Sequence, residues 1–210
     1  MKNASQAEAS PLSTRTRARA KPGERRLQIL QALAVMLEQP AAERITTAAL
    51  AAQLQVSEAA LYRHFASKAQ MFEALIDFIE QSVFGLIGQI SSSNAAGGQQ
   101  AGQMVTLLLR FAEKNRGMAR VMVGEALVLE HPRLQQRMNL FFDKFESALK
   151  QSLRDGALDA ATATPTRMQH LRAAILTAFA IGRLQRYVRG GFRHLPSEQL
   201  EEGLLLMLGH

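Results

Sequence analysis

Five histidines, at positions 64, 131, 170, 194 and 210, are scattered along this 210-residue chain in no spacing that builds a metal site. Cysteine is absent, so thiol nucleophiles, thiolate metal sites and disulfides are excluded, and nothing points to an oxidising compartment. No G-x-S-x-G elbow, Walker loop or dinucleotide fingerprint is present, and Gly97-Gly98 and Gly190-Gly191 read as turns. Glu125 and Glu130 beside Arg120 and Arg133 have the makings of an acid/base set, but surface ion pairs explain them better. The expectation is a protein with no catalytic residue, no metal and no cofactor. The chemistry left to it is recognition. Thr46, Thr47, Ser57, Glu58, Ala59, Ala60, Tyr62, Arg63, His64 and Lys68 crowd short donors, small residues and cations into one stretch, which is what phosphate and base-edge contacts require.

Positioning them takes two short helices and the start of a third. Thr46 caps a helix with Leu50, Ala51 and Leu54 inward, Gln55-Val56 makes a turn, and Ser57 caps a second helix whose inner face is Ala60, Leu61 and Phe65. That leaves Ser57, Glu58, Ala59, Tyr62 and Arg63 outward, with small residues letting the backbone approach base edges and Tyr62, His64 and Lys68 reaching phosphates. Ser67 caps a further helix, with Gln70 completing a capping box. The unit is a helix-turn-helix, and the partner it implies is double-stranded DNA.

The run R-I-T-T-A-A-L-A-A-Q-L-Q-V-S-E-A-A-L-Y-R-H-F-A-S-K resembles the N-terminal domain of TetR-family regulators, whose pattern passes from a Thr-rich start through a V-S turn to L-Y-x-H-F-x-S-K. One departure is Gln55, where that family usually carries glycine; a side chain in the left-handed conformation costs on the order of 1 kcal/mol.

Charge supports a polyanionic partner. The net charge is +7, of which +5 falls within the first seventy residues. Arg15, Arg17, Arg19 and Lys21 lie in a polar N-terminal stretch with no apolar core, read as a disordered basic arm over 1–22 rather than a signal peptide; it either touches DNA or stays solvated. No apolar run reaches the roughly 20 residues of a membrane span, so a cytoplasmic, nucleoid-associated protein is expected.

Beyond the arm the periodicity is helical throughout, which predicts an all-α chain of about nine helices. Residues 23–67 form the helix-turn-helix domain and 68–210 a helical dimerisation and partner-binding domain. A first helix over about 24–38 buries Leu27, Leu30, Ala34 and Leu37; a fourth over 68–90 presents Met71 to Ile90 on one broad apolar face. Residues 91–102 read as a flexible loop, followed by helices over 103–114, to near Glu130, over 133–154 and over 166–189, with a loose loop carrying Gly156 and Pro165. The last helix is capped by Ser197, with Leu200, Leu204, Leu205 and Leu208 apolar. A narrow seam of Leu171, Ile175, Ala178, Phe179 and Gly182, joined by Leu204 and Leu208, suits one half of a dimeric four-helix bundle. The resemblance to TetR regulators implies the same homodimer.

Two functions fit a DNA reader joined to such a domain: repression relieved by a small molecule, or a DNA-licensed interaction with a protein. The segments M-F-E-A-L-I-D-F-I-E, L-L-L-R-F-A-E-K-N-R-G-M-A-R, G-E-A-L-V-L-E-H-P-R-L-Q-Q-R and R-Y-V-R-G-G-F-R resemble the nucleoid occlusion branch of the TetR family. The resemblance implies a dimer on near-palindromic chromosomal sites that engages the tubulin-like division protein FtsZ and blocks Z-ring assembly. By helical projection Phe78 lies at the edge of the fourth helix's apolar face, while Arg110, Lys114 and Asn115 gather at the end of the fifth, a mixed patch able to hold an acidic segment. The resemblance implies Phe78, Leu86, Leu107, Arg110, Lys114 and Asn115 as the contacts. Leu86 replaces an expected basic residue and Arg110 an expected glycine, so one charge is lost and another gained nearby.

Overall fold

Helix α1 (Pro22–Leu37) begins with proline at its first turn, where the missing N–H is harmless, and Glu24 follows near the positive end of the helix dipole. The computed structural model describes residues 22–39, 45–158 and 166–209, so residues 1–21 of the expected arm and Pro165 lie outside the described residues, while Pro22 belongs to α1. Ile29, Leu33 and Leu37 are the buried stripe of α1; Leu30 and Ala34 are half-buried, and Leu27 is exposed. The stripe is rotated from the expected one, and Arg26, though exposed, lays its side chain over the edge of the head's core. The Arg26 guanidinium sits 4.0 Å from the centre of the Phe65 ring and donates to the His64 carbonyl at 2.7 Å.

Helices α2 (Thr47–Gln53) and α3 (Glu58–Tyr62) carry the expected caps. Thr46 Oγ1 accepts from the Ala49 N–H at 3.1 Å, and Ser57 Oγ from the Ala60 N–H at 3.3 Å. Between them the chain reverses through Gln55 at φ 53°, with the Gln55 N–H donating to Ala52 O and the Val56 N–H to Ala51 O, each at 3.0 Å. This is a Schellman closure with glutamine where glycine is strain-free. Gln55→Gly is expected to stabilise the protein by about 0.5 kcal/mol, strain relief outweighing the added freedom of the unfolded chain. A thermal melt should rise by about 2 °C.

Helix α4 (Lys68–Ser91) is capped by Ser67 Oγ, which accepts from the Gln70 N–H at 3.2 Å. Gln70 Oε1 reaches back to the Ala66 N–H at 2.8 Å, so the box closes one residue earlier than its usual form. Met71, Phe72, Leu75, Ile76, Ile79, Val83 and Ile87 are buried along α4, which runs from the reading head into the core of the body. Helix α5 (Gly97–Lys114) starts six residues before the expected position. Tertiary contacts hold its glycine-rich first turns: Ser152 Oγ bonds Gly97 O at 3.0 Å and Gln100 Oε1 at 3.1 Å, and Gln100 Nε2 donates to Ser93 O.

Helix α6 (Arg116–Met122) is shorter than expected, because Gly124 at φ 79° ends it and a single 3₁₀ turn (Glu125–Leu127) follows. Helix α7 (Pro132–Leu158) runs through Gly156, and with α8 (Thr166–Arg189) and α5 it encloses the main core around Phe141, Phe145, Leu149, Leu176 and Leu184. Tyr187 is fully buried there, its hydroxyl donating to Glu113 O at 3.3 Å. Helix α9 (Leu200–Leu208) begins after Gln199 in the left-handed region. Ser197 does not cap it; the Ser197 N–H donates to Glu113 Oε1 at 2.7 Å and ties the α8–α9 turn to α5. All the described secondary structure is helical.

Head and body meet where α6 crosses α1. Arg120 is buried and donates from Nη1 to Leu37 O at 3.0 Å and Gln39 O at 2.8 Å, satisfying carbonyls left over at the end of α1. Its Nε bonds Glu125 Oε1 at 2.8 Å. Gly117 brings the two backbones together: a Cβ there would overlap the Ala34 carbonyl oxygen and stand 3.0 Å from Leu37 Cβ.

Candidate nucleic-acid interface and partner groove

The two caps fix α3 with Leu61 and Phe65 buried, and Ser57, Glu58, Ala59, Tyr62 and Arg63 turned to solvent. Ala60 is half-buried. A polar strap links α2 to α3: Thr47 Oγ1 donates to Glu58 Oε2 at 2.5 Å and accepts from the Tyr62 hydroxyl at 3.5 Å. Thr46 is exposed with its hydroxyl engaged as the cap, and Thr47 is half-buried. Ala59 offers no side chain beyond a methyl, so a duplex can come close to the backbone here.

Lys68, expected on that surface, turns toward the body instead. His64 is half-buried, with its carbonyl taken by Arg26. The Lys68 amine is ion-paired with Glu130 in the α6–α7 connection, a carboxylate whose side chain is only 8% exposed, and lies 5.6 Å from the Phe72 ring centre. A lysine at the foot of α4 thus bonds the body instead of pointing outward, because a carboxylate 62 residues away competes for it. Lys68→Ala is therefore expected to leave duplex affinity nearly unchanged. Glu130→Gln should raise it about threefold and steepen the salt dependence by about one released counterion, in an anisotropy titration. Glu125 and Glu130, with Arg120 and Arg133, are spent on ion pairs, but not all at the surface as expected, since the Arg120 and Glu130 side chains are buried: Arg120–Glu125 at 2.7 Å, Lys68–Glu130, and Arg133–Glu73 at 2.6 Å.

On the body, α4, α5 and α9 enclose an open, largely apolar groove of about 1060 Å³. Five of the six expected partner residues line it: Leu86 from α4, Leu107, Arg110 and Lys114 from α5, and Asn115 at the α5–α6 junction. Phe78 is outside the lining but 42% exposed, so it is not core packing. Asn115 Nδ2 donates to Phe111 O at 2.8 Å, which shapes the end of α5. The opposite wall is α9, with Glu201, Leu204, Leu205 and Leu208, a contribution that sequence reasoning missed. Leu208 and Leu204 of α9 pack over Gly102 of α5, where a Cβ would stand in ordinary contact with them at 3.5 and 3.8 Å, so no residue of α5 announces the docking.

The α8 seam is exposed along Leu171, Ile175, Ala178 and Gly182, with Phe179 half-buried against Arg183 at 4.7 Å. Leu204 and Leu208 do not join it. They turn inward at 8% and 7% exposure, and the outward apolar residues of α9 are Leu205 and Leu206. Among the described residues there is no group of three acids or imidazoles able to hold a metal ion, and no helix is long and apolar enough to cross a membrane.

Comparison with known proteins follows this division. Residues 29–75 match the family described as bacterial regulatory proteins, tetR family, and residues 100–208 match the tetracyclin repressor-like, C-terminal domain of SlmA-like type. Relatives called nucleoid occlusion factor SlmA include those of Colwellia psychrerythraea, 45% identical over 85% of this chain and 89% of theirs, and Idiomarina loihiensis, 46% identical over 83% and 88%. The fold is shared with the transcriptional regulator FadR of Bacillus subtilis, solved with stearoyl-CoA, at a TM-score of 0.69, 14% identity, 87% of this chain and 97% of that one. It is shared also with PfmR of Thermus thermophilus, at 0.67, 20% identity and the same shares.

Proposed function

The chain belongs to the TetR family and, within it, to the nucleoid occlusion factors of the SlmA type, and from that premise we propose that it binds near-palindromic chromosomal DNA as a homodimer, engages FtsZ, and keeps the Z-ring from assembling over the nucleoid. It is a DNA-binding regulator, not an enzyme. In this reading it works in the cytoplasm on the nucleoid. The outer face of α3 enters the major groove, with half-sites about one helical turn apart. The seam of α8 pairs with its own copy, and the groove between α4, α5 and α9 holds an FtsZ segment.

The observation that carries the reading is the groove. Leu86, Leu107, Arg110, Lys114 and Asn115 are spread over thirty positions, yet line one apolar channel with cations at one end. Such a channel fits an apolar segment with acidic residues better than a base-stacking or metal-dependent function. The replaced charges fall within the same channel, so the loss at Leu86 is offset from Arg110 across it. Continuity from head to body supports coupling: α4 belongs to both, and Arg120 grips the end of α1. Operator binding fixes the spacing of the heads and α4 transmits it to the groove, so FtsZ must tighten DNA binding by the same factor that DNA tightens FtsZ binding.

Sedimentation of FtsZ with GTP tests the proposal, adding the protein alone and then with a palindromic duplex chosen from genomic fragments that it retains. Disruption of polymers by the duplex complex beyond that by protein alone is expected. Indifferent polymers with a tightly bound duplex would leave a TetR-type repressor, and the search would turn to its inducer. Equal DNA affinity with and without FtsZ, by isothermal titration, would sink the coupling.

A further inference from the structure

The cations lining the groove are nearly balanced within it. Arg110 and Lys114 face a single acidic lining residue, Glu201, which leaves a net of one positive charge for an acidic partner. The surplus lies just past the mouth. Arg116 follows Asn115 and opens α6, and its guanidinium sits 5.6 Å from the centre of the Phe192 ring. Arg193 is the next residue on that same turn and is exposed. Among the described residues, no carboxylate lies within 4.0 Å of Arg110, Lys114, Arg116 or Arg193.

The turn that presents Arg193 is held firmly. Gly191 and Phe192 both take left-handed conformations, at φ 61° and 63°. The Phe192 N–H donates to Tyr187 O at 2.8 Å, and its ring meets Tyr187 edge-on with centres 5.0 Å apart. Tyr187 is in turn bonded to Glu113 O on α5, and the Ser197 N–H to the Glu113 carboxylate. The end of α5, the start of α6 and the α8–α9 turn therefore form one rigid corner at the groove's mouth. Arg193 donates through Nε to Gly190 O at 2.9 Å, a helix-ending contact that leaves its two terminal nitrogens to solvent.

We propose that Arg116 and Arg193 form a basic shelf that continues the groove and holds an acidic stretch flanking the apolar part of the same partner segment. The inference rests on the groove being the FtsZ site. With the shelf, and with the Glu113 carboxylate of the same corner counted against it, the net charge presented to the segment rises from one to two, so half of the electrostatic attraction comes from outside the groove, and it fixes the direction in which the segment lies. Its apolar part sits toward Gly102, Leu204 and Leu208, and its acidic part leaves past Lys114. A peptide is favoured over a DNA backbone because the shelf is continuous with an apolar channel, which a phosphate chain cannot use.

The test is an anisotropy titration of the full-length protein with purified FtsZ and, separately, with a duplex that it retains, comparing native protein, Arg116→Glu/Arg193→Glu and Leu107→Glu. The double reversal is expected to weaken FtsZ binding about tenfold near 0.1 M salt and to flatten its salt dependence, with duplex affinity unchanged. An FtsZ affinity unmoved by the double reversal, while Leu107→Glu abolishes it, overturns the shelf and leaves the groove standing. A fall in duplex affinity alone makes the two arginines phosphate contacts and also overturns it. If Leu107→Glu leaves FtsZ binding intact, the groove reading fails and takes the shelf with it. Should the reversal destabilise the fold, Arg116→Gln/Arg193→Gln, which keeps polar side chains at both positions, must still reduce the salt slope.

Discussion

Gly117→Ala is expected to lower the thermal midpoint by about 10 °C and to separate DNA binding from partner binding. The added Cβ would overlap the Ala34 carbonyl oxygen and crowd Leu37 Cβ, and backbone cannot rotate aside as a flexible side chain can. Overpacking of this kind costs about 3 kcal/mol, which in a chain of this size is worth roughly 3 °C per kcal/mol. The damage is local to the crossing of α1 and α6. To relieve it the helices must part, which pulls Arg120 from Leu37 O and Gln39 O and leaves those carbonyls without their partner. Calorimetry measures the first effect. For the second, the duplex should retain most of its affinity while its enhancement of FtsZ binding disappears. A midpoint within 2 °C of the native one would mean that the close approach at Gly117 is not maintained in solution.

Ala59→Glu is expected to cut duplex affinity at least a hundredfold with no loss of stability. Ala59 is exposed on the outer face of α3, in the helix's first turn, where a carboxylate is tolerated and favoured by the helix dipole. Against a duplex the same carboxylate fills the space through which backbone approaches base edges and meets phosphate charge. A hundredfold loss corresponds to about 2.7 kcal/mol, within the reach of one clash plus one like-charge contact. Anisotropy with an unchanged melting curve checks it. Duplex binding within threefold of native would move the reading surface off α3.

The reading head was the most legible part of the sequence because its determinants are local. Thr46, Ser57 and Ser67 cap helices that begin one residue later, and even the strain at Gln55 follows from a glycine-preferring turn. What the sequence hid depends on partners far along the chain. Residues 97–102 are too glycine-rich to be read as helix, and only Ser152 and the α9 leucines show why they are one. Lys68 reads as a surface cation until Glu130 is placed beside it, and Leu204 and Leu208 read as seam residues until α9 is seen to pack them against α5 near Gly102. The groove was half legible: its α4 and α5 residues carried the resemblance, while the α9 wall is set by how a short terminal helix docks.

The grip of α6 on α1 bears on how such proteins exchange parts. A boundary between Ser67 and Lys68 divides the sequence neatly, but the last carbonyls of α1 find their donors on Arg120, and α1 lies close only because position 117 has no side chain. A reading head transplanted at that boundary onto a foreign body would arrive with its α1 end uncapped and its tilt undefined. The portable module is the head together with α6, so a chimera designed to redirect this protein to other operators must carry residues 116–125 along with the helix-turn-helix.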